Sequence, residues 1–261
     1  MAQPQPQFLD ADGRSIAILT EPAPKQGAAG LFWVPGFKSD MISTKATALA
    51  DFARGRYGTT RFDYSGHGQS PGAFEDGTIG DWLAESAFVF KRLTAGPQVI
   101  IGSSMGGYIA LLLLRQLIAQ APADAARIKA LVLIAPAWDM THELMWKAFS
   151  PAQQTALLAQ GFYLRPSEYG EPYKITRRLI EEGRGHLIAG KPANPGRPVH
   201  ILQGLLDTSV PPAHTRALLA LLPGPHVTLE EVPDGDHRLS RPQDIARLCE
   251  VVDGLARAKP V

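Results

Sequence analysis

One cysteine in 261 residues, Cys249, excludes an intramolecular disulfide framework and any paired-cysteine metal or redox motif. It lies in the apolar run Leu248-Cys249-Glu250-Val251-Val252, which predicts a small buried core residue. An excess of one charge is equally absent. The chain carries 26 Lys and Arg against 25 Asp and Glu, so nothing electrostatic favours nucleic acid or an anionic membrane as partner. No stretch approaches the ~18 consecutive apolar residues of a membrane span. The opening MAQPQPQFLDADGR has neither the basic nor the apolar region of a secretory signal, which makes the cytoplasm the expected compartment. The zinc helix HExxH, the phosphate loop GxxxxGK and the dinucleotide fingerprint GxGxxG are missing, so no metal and no cofactor is expected. The nearest approach to the last, Ser65-Gly66-His67-Gly68-Gln69-Ser70, lacks the third glycine and reads as a structural turn.

What is present suffices for a large core. At 45% hydrophobic residues, wholesale disorder is excluded, and the length suits one large domain or two small ones. Residues 1–12 read as a loose lead-in. After them, short β-branched runs alternate with amphipathic stretches. Strands are predicted at Ser15–Glu21, Leu31–Val34, Thr59–Tyr64, Val99–Ile101, Ile128–Ala135, Val199–Gln203 and Val227–Val232. Helices are predicted at Ser43–Arg54, Thr78–Leu93, Met105–Gln120, Pro212–Leu222 and Pro242–Ala256. This alternation implies right-handed crossovers and a mainly parallel α/β sheet covered on both faces.

One segment breaks the rhythm. Between Ala135 and Val199 no convincing strand appears, only two or three short helical patterns and the aromatics Trp138, Trp146, Phe149, Phe162, Tyr163, Tyr169 and Tyr173. Long irregular segments inside compact domains are usually functional. Residues 138–196 are therefore expected to form a small helical cap over the carboxyl ends of the strands, with 1–137 and 197–261 as the core. Lys38, Trp138, Met140, Leu144 and Met145 are the candidates to line a substrate pocket beneath it.

The strongest chemical signal is Gly102-Ser103-Ser104-Met105-Gly106, a G-x-S-x-G pattern between a buried strand and an apolar helix. That setting is a nucleophile elbow, with Ser104 held in a strained turn that only glycine neighbours permit. A serine needs a base and a group to orient that base. Of seven histidines, His237 alone lies in a loop between the last predicted strand and the last helix. Asp207, after the preceding strand, supplies the acid in the chain order Ser, Asp, His; Asp139, after the Ile128–Ala135 strand, is its rival. Asp234 and Asp236 are expected to shape the histidine loop. Backbone N–H groups of Met105 and of Phe37, in the turn Pro35-Gly36-Phe37-Lys38, are the expected oxyanion donors.

These residues resemble the α/β-hydrolase superfamily. The resemblance runs from about Ser15 to Leu255 and is carried by the elbow, the turn Arg61-Phe62-Asp63-Tyr64-Ser65-Gly66-x-Gly68-x-Ser70, and the Asp207 and His237 loops. Pro35-Gly36-Phe37 with Thr44-Lys45-Ala46, Asp236-His237-Arg238, and Pro166-Ser167-x-Tyr169 with Ile180-Glu181-Glu182 are similar to a mitochondrial subgroup of acyl-glucuronide esterases and palmitoyl-protein thioesterases. The resemblance implies the α/β-hydrolase fold and hydrolysis of esters or thioesters by Ser104, Asp207 and His237. The substrate would be a small molecule or an acylated protein. Two departures stand out: no organelle-targeting presequence is seen, and Pro35-Gly36 replaces the His-Gly of many superfamily members. A non-catalytic ligand-binding module on the same fold, or an acyltransferase or C–C hydrolase using the same triad, is the alternative reading.

Overall fold

The computed structural model describes residues 5–25, 28–167 and 170–258. The chain starts with a β-hairpin, β1 (Gln7–Ala11) and β2 (Arg14–Glu21), where a loose lead-in is expected. Its connection is Asp12-Gly13, and φ values of 52° and 84° are the mirror-image turn that matches strand twist. That dipeptide is a local hairpin signal that strand–helix alternation does not contain. The rest of the order is β3 (Gly30–Val34), α1 (Thr44–Ala53), β4 (Gly58–Phe62), α2 (Ile79–Leu93), β5 (Gln98–Ser103), α3 (Met105–Gln120), α4 (Pro122–Arg127) and β6 (Ile128–Ile134).

Between β6 and the next strand of the main sheet lies the segment expected to be a helical cap. It holds a π-helical turn (Thr141–Met145), a 3-10 turn (Trp146–Ala148), α5 (Pro151–Gln160) and α6 (Arg177–Gly183). It also holds a β-hairpin, β7 (Phe162–Ser167) and β8 (Gly170–Thr176), which corrects the strand-free expectation. Pro166 and Pro172 hide these strands in the sequence, because proline normally argues against a strand interior. An isolated hairpin pair has no inner ladder to interrupt. Tyr169 and Glu168, between the two strands, lie outside the described residues. The chain then closes with β9 (Val199–Gly204), α7 (Pro212–Leu218), β10 (Val227–Val232) and α8 (Pro242–Arg257).

The main sheet has eight strands in the order β1-β2-β4-β3-β5-β6-β9-β10. From β4 to β10 all neighbours are parallel, and β2 alone runs against the rest, pairing antiparallel with both β1 and β4. The two-residue side-chain period splits each inner strand between two cores. Leu31 and Trp33 of β3, Val99 and Ile101 of β5, and Val132 and Ile134 of β6 pack with Ala46, Leu49 and Ala53 of α1 and Leu248, Cys249 and Val252 of α8. Phe32, Val34, Ile100, Leu131 and Leu133 face the other way, onto α2 and α3. The apolar α3 is buried from Met105 through Leu114, so the helix behind the elbow is enclosed rather than half-solvated. Asp81 N donates to Thr78 Oγ1 at 3.2 Å, capping α2, which therefore starts one residue later than its polar cap.

Candidate active site

Ser104 sits between β5 and α3 with φ 56° and ψ −118°, a conformation non-glycine residues rarely adopt. The surroundings hold it there. Gly106 faces the carbonyls of Val34 and Pro35 so closely that no Cβ could be accommodated. Gly36 lies against the elbow from the β3 side, where a Cβ would come within 3.0 Å of the Ser103 carbonyl. The turn carrying Phe37 is thereby packed directly against the serine.

His237 and Asp207 reach this point from the loops after β10 and β9. His237 Nδ1 donates to Asp207 Oδ2 at 2.8 Å, and His237 Nε2 lies 3.2 Å from Ser104 Oγ. A carboxylate can only accept, so the proton is on Nδ1 and the Nε2 lone pair faces the hydroxyl. The Asp207 side chain is fully buried, whereas that of His237 is 30% exposed. Three further donors satisfy the carboxylate: Ser209 N at 2.9 Å, Val210 N at 2.8 Å and Gln203 Nε2 at 3.3 Å. Gln203 is itself fixed, because its Oε1 accepts from Thr215 Oγ1 at 2.5 Å. Gln203 and Thr215 escape sequence reasoning. A glutamine inside an apolar strand is the one available hint.

Asp139 stands elsewhere. Fully buried, with φ 49°, it accepts from Ile188 N at 2.8 Å and Ala189 N at 2.9 Å, tying the two ends of the inserted segment together. The histidine loop is shaped by its own acids. Asp236 Oδ1 accepts from Arg238 N and Leu239 N, each at 3.0 Å, while the Arg241 guanidinium spans Asp234 and Asp244.

The turn after β3 is braced from two sides. On one, Asp63 Oδ1 accepts from Met41 N at 2.6 Å and Oδ2 accepts from Gln69 N at 2.8 Å. This is the Ser65–Ser70 segment in its structural role. Burial pushes the Asp63 carboxyl up to about 6 against those two bonds, and burial brings the neighbouring His67 imidazole down to about 4. On the other side, the Phe37 ring meets Phe74 at 4.9 Å and both Trp82 and Tyr173 at 5.9 Å between centroids. Tyr173 belongs to β8, so the inserted hairpin touches the turn directly.

The expected pocket residues fall into two groups. Trp138 stacks on His214 at 4.5 Å and donates Nε1 to its carbonyl; Met140 and Met145 are 4% and 3% exposed within the main core. Leu144 is half-buried against that core, and Lys38 is exposed with Nζ 4.4 Å from the Tyr173 ring centroid.

Comparison with known proteins agrees with this architecture. The family described as "Alpha/beta hydrolase family" matches residues 27–248. The bovine palmitoyl-protein thioesterase ABHD10, named as mitochondrial, is 30% identical over 265 residues, spanning 96% of this chain and 83% of its own. A crystal structure from Agrobacterium vitis S4, named as a hydrolase, superposes with TM-score 0.92 at 39% identity, covering 98% of this chain and all of the other. Mouse alpha/beta hydrolase domain-containing protein 10 superposes with TM-score 0.84 at 28% identity, over 97% of this chain and 98% of that one. No helix among the described residues is long and apolar enough to cross a membrane. With its strand order, its serine turn and these relatives in agreement, the chain belongs to the alpha/beta hydrolase family.

Proposed function

We propose that this protein is a serine hydrolase of carboxylic esters or thioesters with apolar acyl groups. The observation that carries the reading is the hydrogen-bonded series Asp207–His237–Ser104 at the amino end of α3. In this mechanism His237 Nε2 takes the Ser104 proton as Oγ adds to the acyl carbonyl. The proton then passes to the departing alcohol or thiol, leaving an acyl group on Ser104. Water, deprotonated by the same Nε2, releases the acid and restores the serine. Asp207 keeps the imidazole in the required tautomer and stabilises its cation. The carbonyl oxygen acquires charge beside the N–H groups of Met105, at the positive end of α3, and Phe37.

The curated ABHD10 relatives, named as palmitoyl-protein thioesterases, support a thioester, including one on an acylated protein, as a substrate class. Small p-nitrophenyl esters and acyl thioesters assay both on wild type and Ser104→Ala. Loss of the nucleophile is expected to lower kcat by about 10⁴–10⁶. More than a few per cent of activity remaining places the nucleophile elsewhere. The cytoplasmic location expected from the sequence meets relatives named as mitochondrial, and imaging a carboxyl-terminal fluorescent fusion separates the two.

A further inference from the structure

The base sits on a loop, and a loop must be held on both sides to keep a 3.2 Å approach to Ser104. The contacts of Asp234, Asp236, Arg241 and Asp244 all run within the stretch 234–244, so they tie the loop to itself and to α8. On the facing side of the site, the turn after β3 runs into α1. Lys45, the second residue of α1, bridges the two. Its Nζ donates to the Arg238 carbonyl and lies 3.4 Å from Ser240 Oγ. Arg238 directly follows His237, so the accepting carbonyl is one residue beyond the base. The other end of the bridge is equally firm, since Met41 donates to Asp63 and its carbonyl accepts from Arg61 Nη1 at 3.1 Å.

We propose that Lys45 is a positioning residue of the reaction: its ammonium holds the His237 loop in register with the turn that presents the Phe37 N–H. This rests on the serine-hydrolase reading, because it is Nε2 of His237 and the oxyanion donor that Lys45 keeps at a fixed separation. A charged donor on a carbonyl is shorter and about twice as strong as a neutral one, which suits a single contact to this task. The groups facing the ammonium are Asp236 and Arg238 of the histidine loop and Asp244 of α8. Burial lowers the ammonium from its ordinary value to about 8; Asp236 and Asp244 oppose that shift, and Arg238 adds to it. Below that pH the clamp is charged. Above it a neutral amine remains, with a weaker bond.

The test is a pH profile of kcat/KM for p-nitrophenyl butyrate from pH 6 to 10, corrected for spontaneous hydrolysis. Wild type, Lys45→Arg, Lys45→Met and Ser104→Ala are compared, with melting temperature measured for each. Wild type is expected to fall onto a lower plateau with an apparent pKa of about 8. The drop should be about three- to tenfold, the difference between a charged and a neutral hydrogen bond. Lys45→Arg, charged throughout because guanidinium titrates above about 12, should keep most of the neutral-pH rate and show no descending limb. Lys45→Met should lose about tenfold at pH 7, mainly in kcat, without a limb near 8. A limb that persists in either variant, or a Lys45→Met enzyme as fast as wild type at pH 7, overturns the clamp. If Lys45→Met fails to fold, Lys45→Arg alone decides: a limb near pH 8 overturns the clamp, and its absence supports it. Activity surviving in Ser104→Ala strikes instead at the parent reading, so the two failures are distinguishable.

Discussion

Asp207 and Asp139 are both buried carboxylates at the ends of neighbouring strands, yet they hold different things. Asp207 holds the imidazole, and Asp139 holds two backbone N–H groups of the inserted segment. Asp207→Asn should therefore lower kcat by about 10³–10⁴ through the wrong tautomer. Asp139→Asn should keep most of the rate and lose about 1–3 kcal/mol of stability. The opposite ranking, read from kcat and urea melts of both variants, would reassign the acid. A second pair of groups acts through pH. Between pH 4 and 6.5 the unfolded chain protonates His67 while the folded one does not, so this residue's contribution falls as pH falls. Asp63 runs the other way: the folded chain keeps its proton up to about 6, so its contribution falls as pH rises through that value. The two slopes oppose each other across one window and hide one another in wild type. In His67→Gln the destabilisation measured at pH 7 should shrink by about 2 kcal/mol at pH 4.5, because the variant no longer resists that proton. An unchanged difference between the two pH values would show that His67 titrates normally. Ser104, Asp207 and His237 were legible as a group because each occupies a loop that follows a strand. Lys45 and Gln203 were not, since a side chain that reaches across from another element leaves no local pattern.

Elements read well wherever period and burial agree. The limits of α3 and β10 coincide with those read from the sequence, because both are bounded by residues that change the period at once: Ser104 before α3, Pro233 after β10. The hairpin of β7 and β8 was illegible for the opposite reason, its prolines standing where a strand rarely keeps them. Register makes this hairpin two-faced. Leu164 opposite Lys174 lies outside, while Ile175 is fully buried and Tyr173, opposite Arg165, turns onto Phe37 and Phe74. The hairpin thus forms one wall of the turn that carries Phe37, the turn proposed to hold an oxyanion donor. Removing the ring in Tyr173→Ala should reduce kcat about three- to tenfold, with a smaller change in KM, the worth of an aromatic pair. Tyr173→Phe should restore the rate, since the ring makes the contact. Equal loss in both variants would point to the hydroxyl and away from packing.

For the molecule as a whole, the proposed preference for apolar acyl groups predicts a dependence of rate on chain length. Each buried methylene is worth about 0.8 kcal/mol, so kcat/KM should climb about three- to fourfold per methylene from acetyl and then level off. Trp138, Met140 and Met145, at the start of the inserted segment, are already packed, so the plateau should come early. p-Nitrophenyl esters of two to sixteen carbons read this directly, and a flat series would remove apolar selection while leaving the serine chemistry standing. Helix α8 carries a further consequence in the chain's single thiol. Cys249 is 9% exposed on the inner face of α8, and burial raises its thiol above the ordinary range. The same helix begins just past the loop that bears His237. Maleimide labelling of Cys249 should therefore be slow while α8 stays packed and should quicken in proportion to the population in which that helix is open. Intact mass reads that labelling at a native residue, on the helix that begins just after the His237 loop.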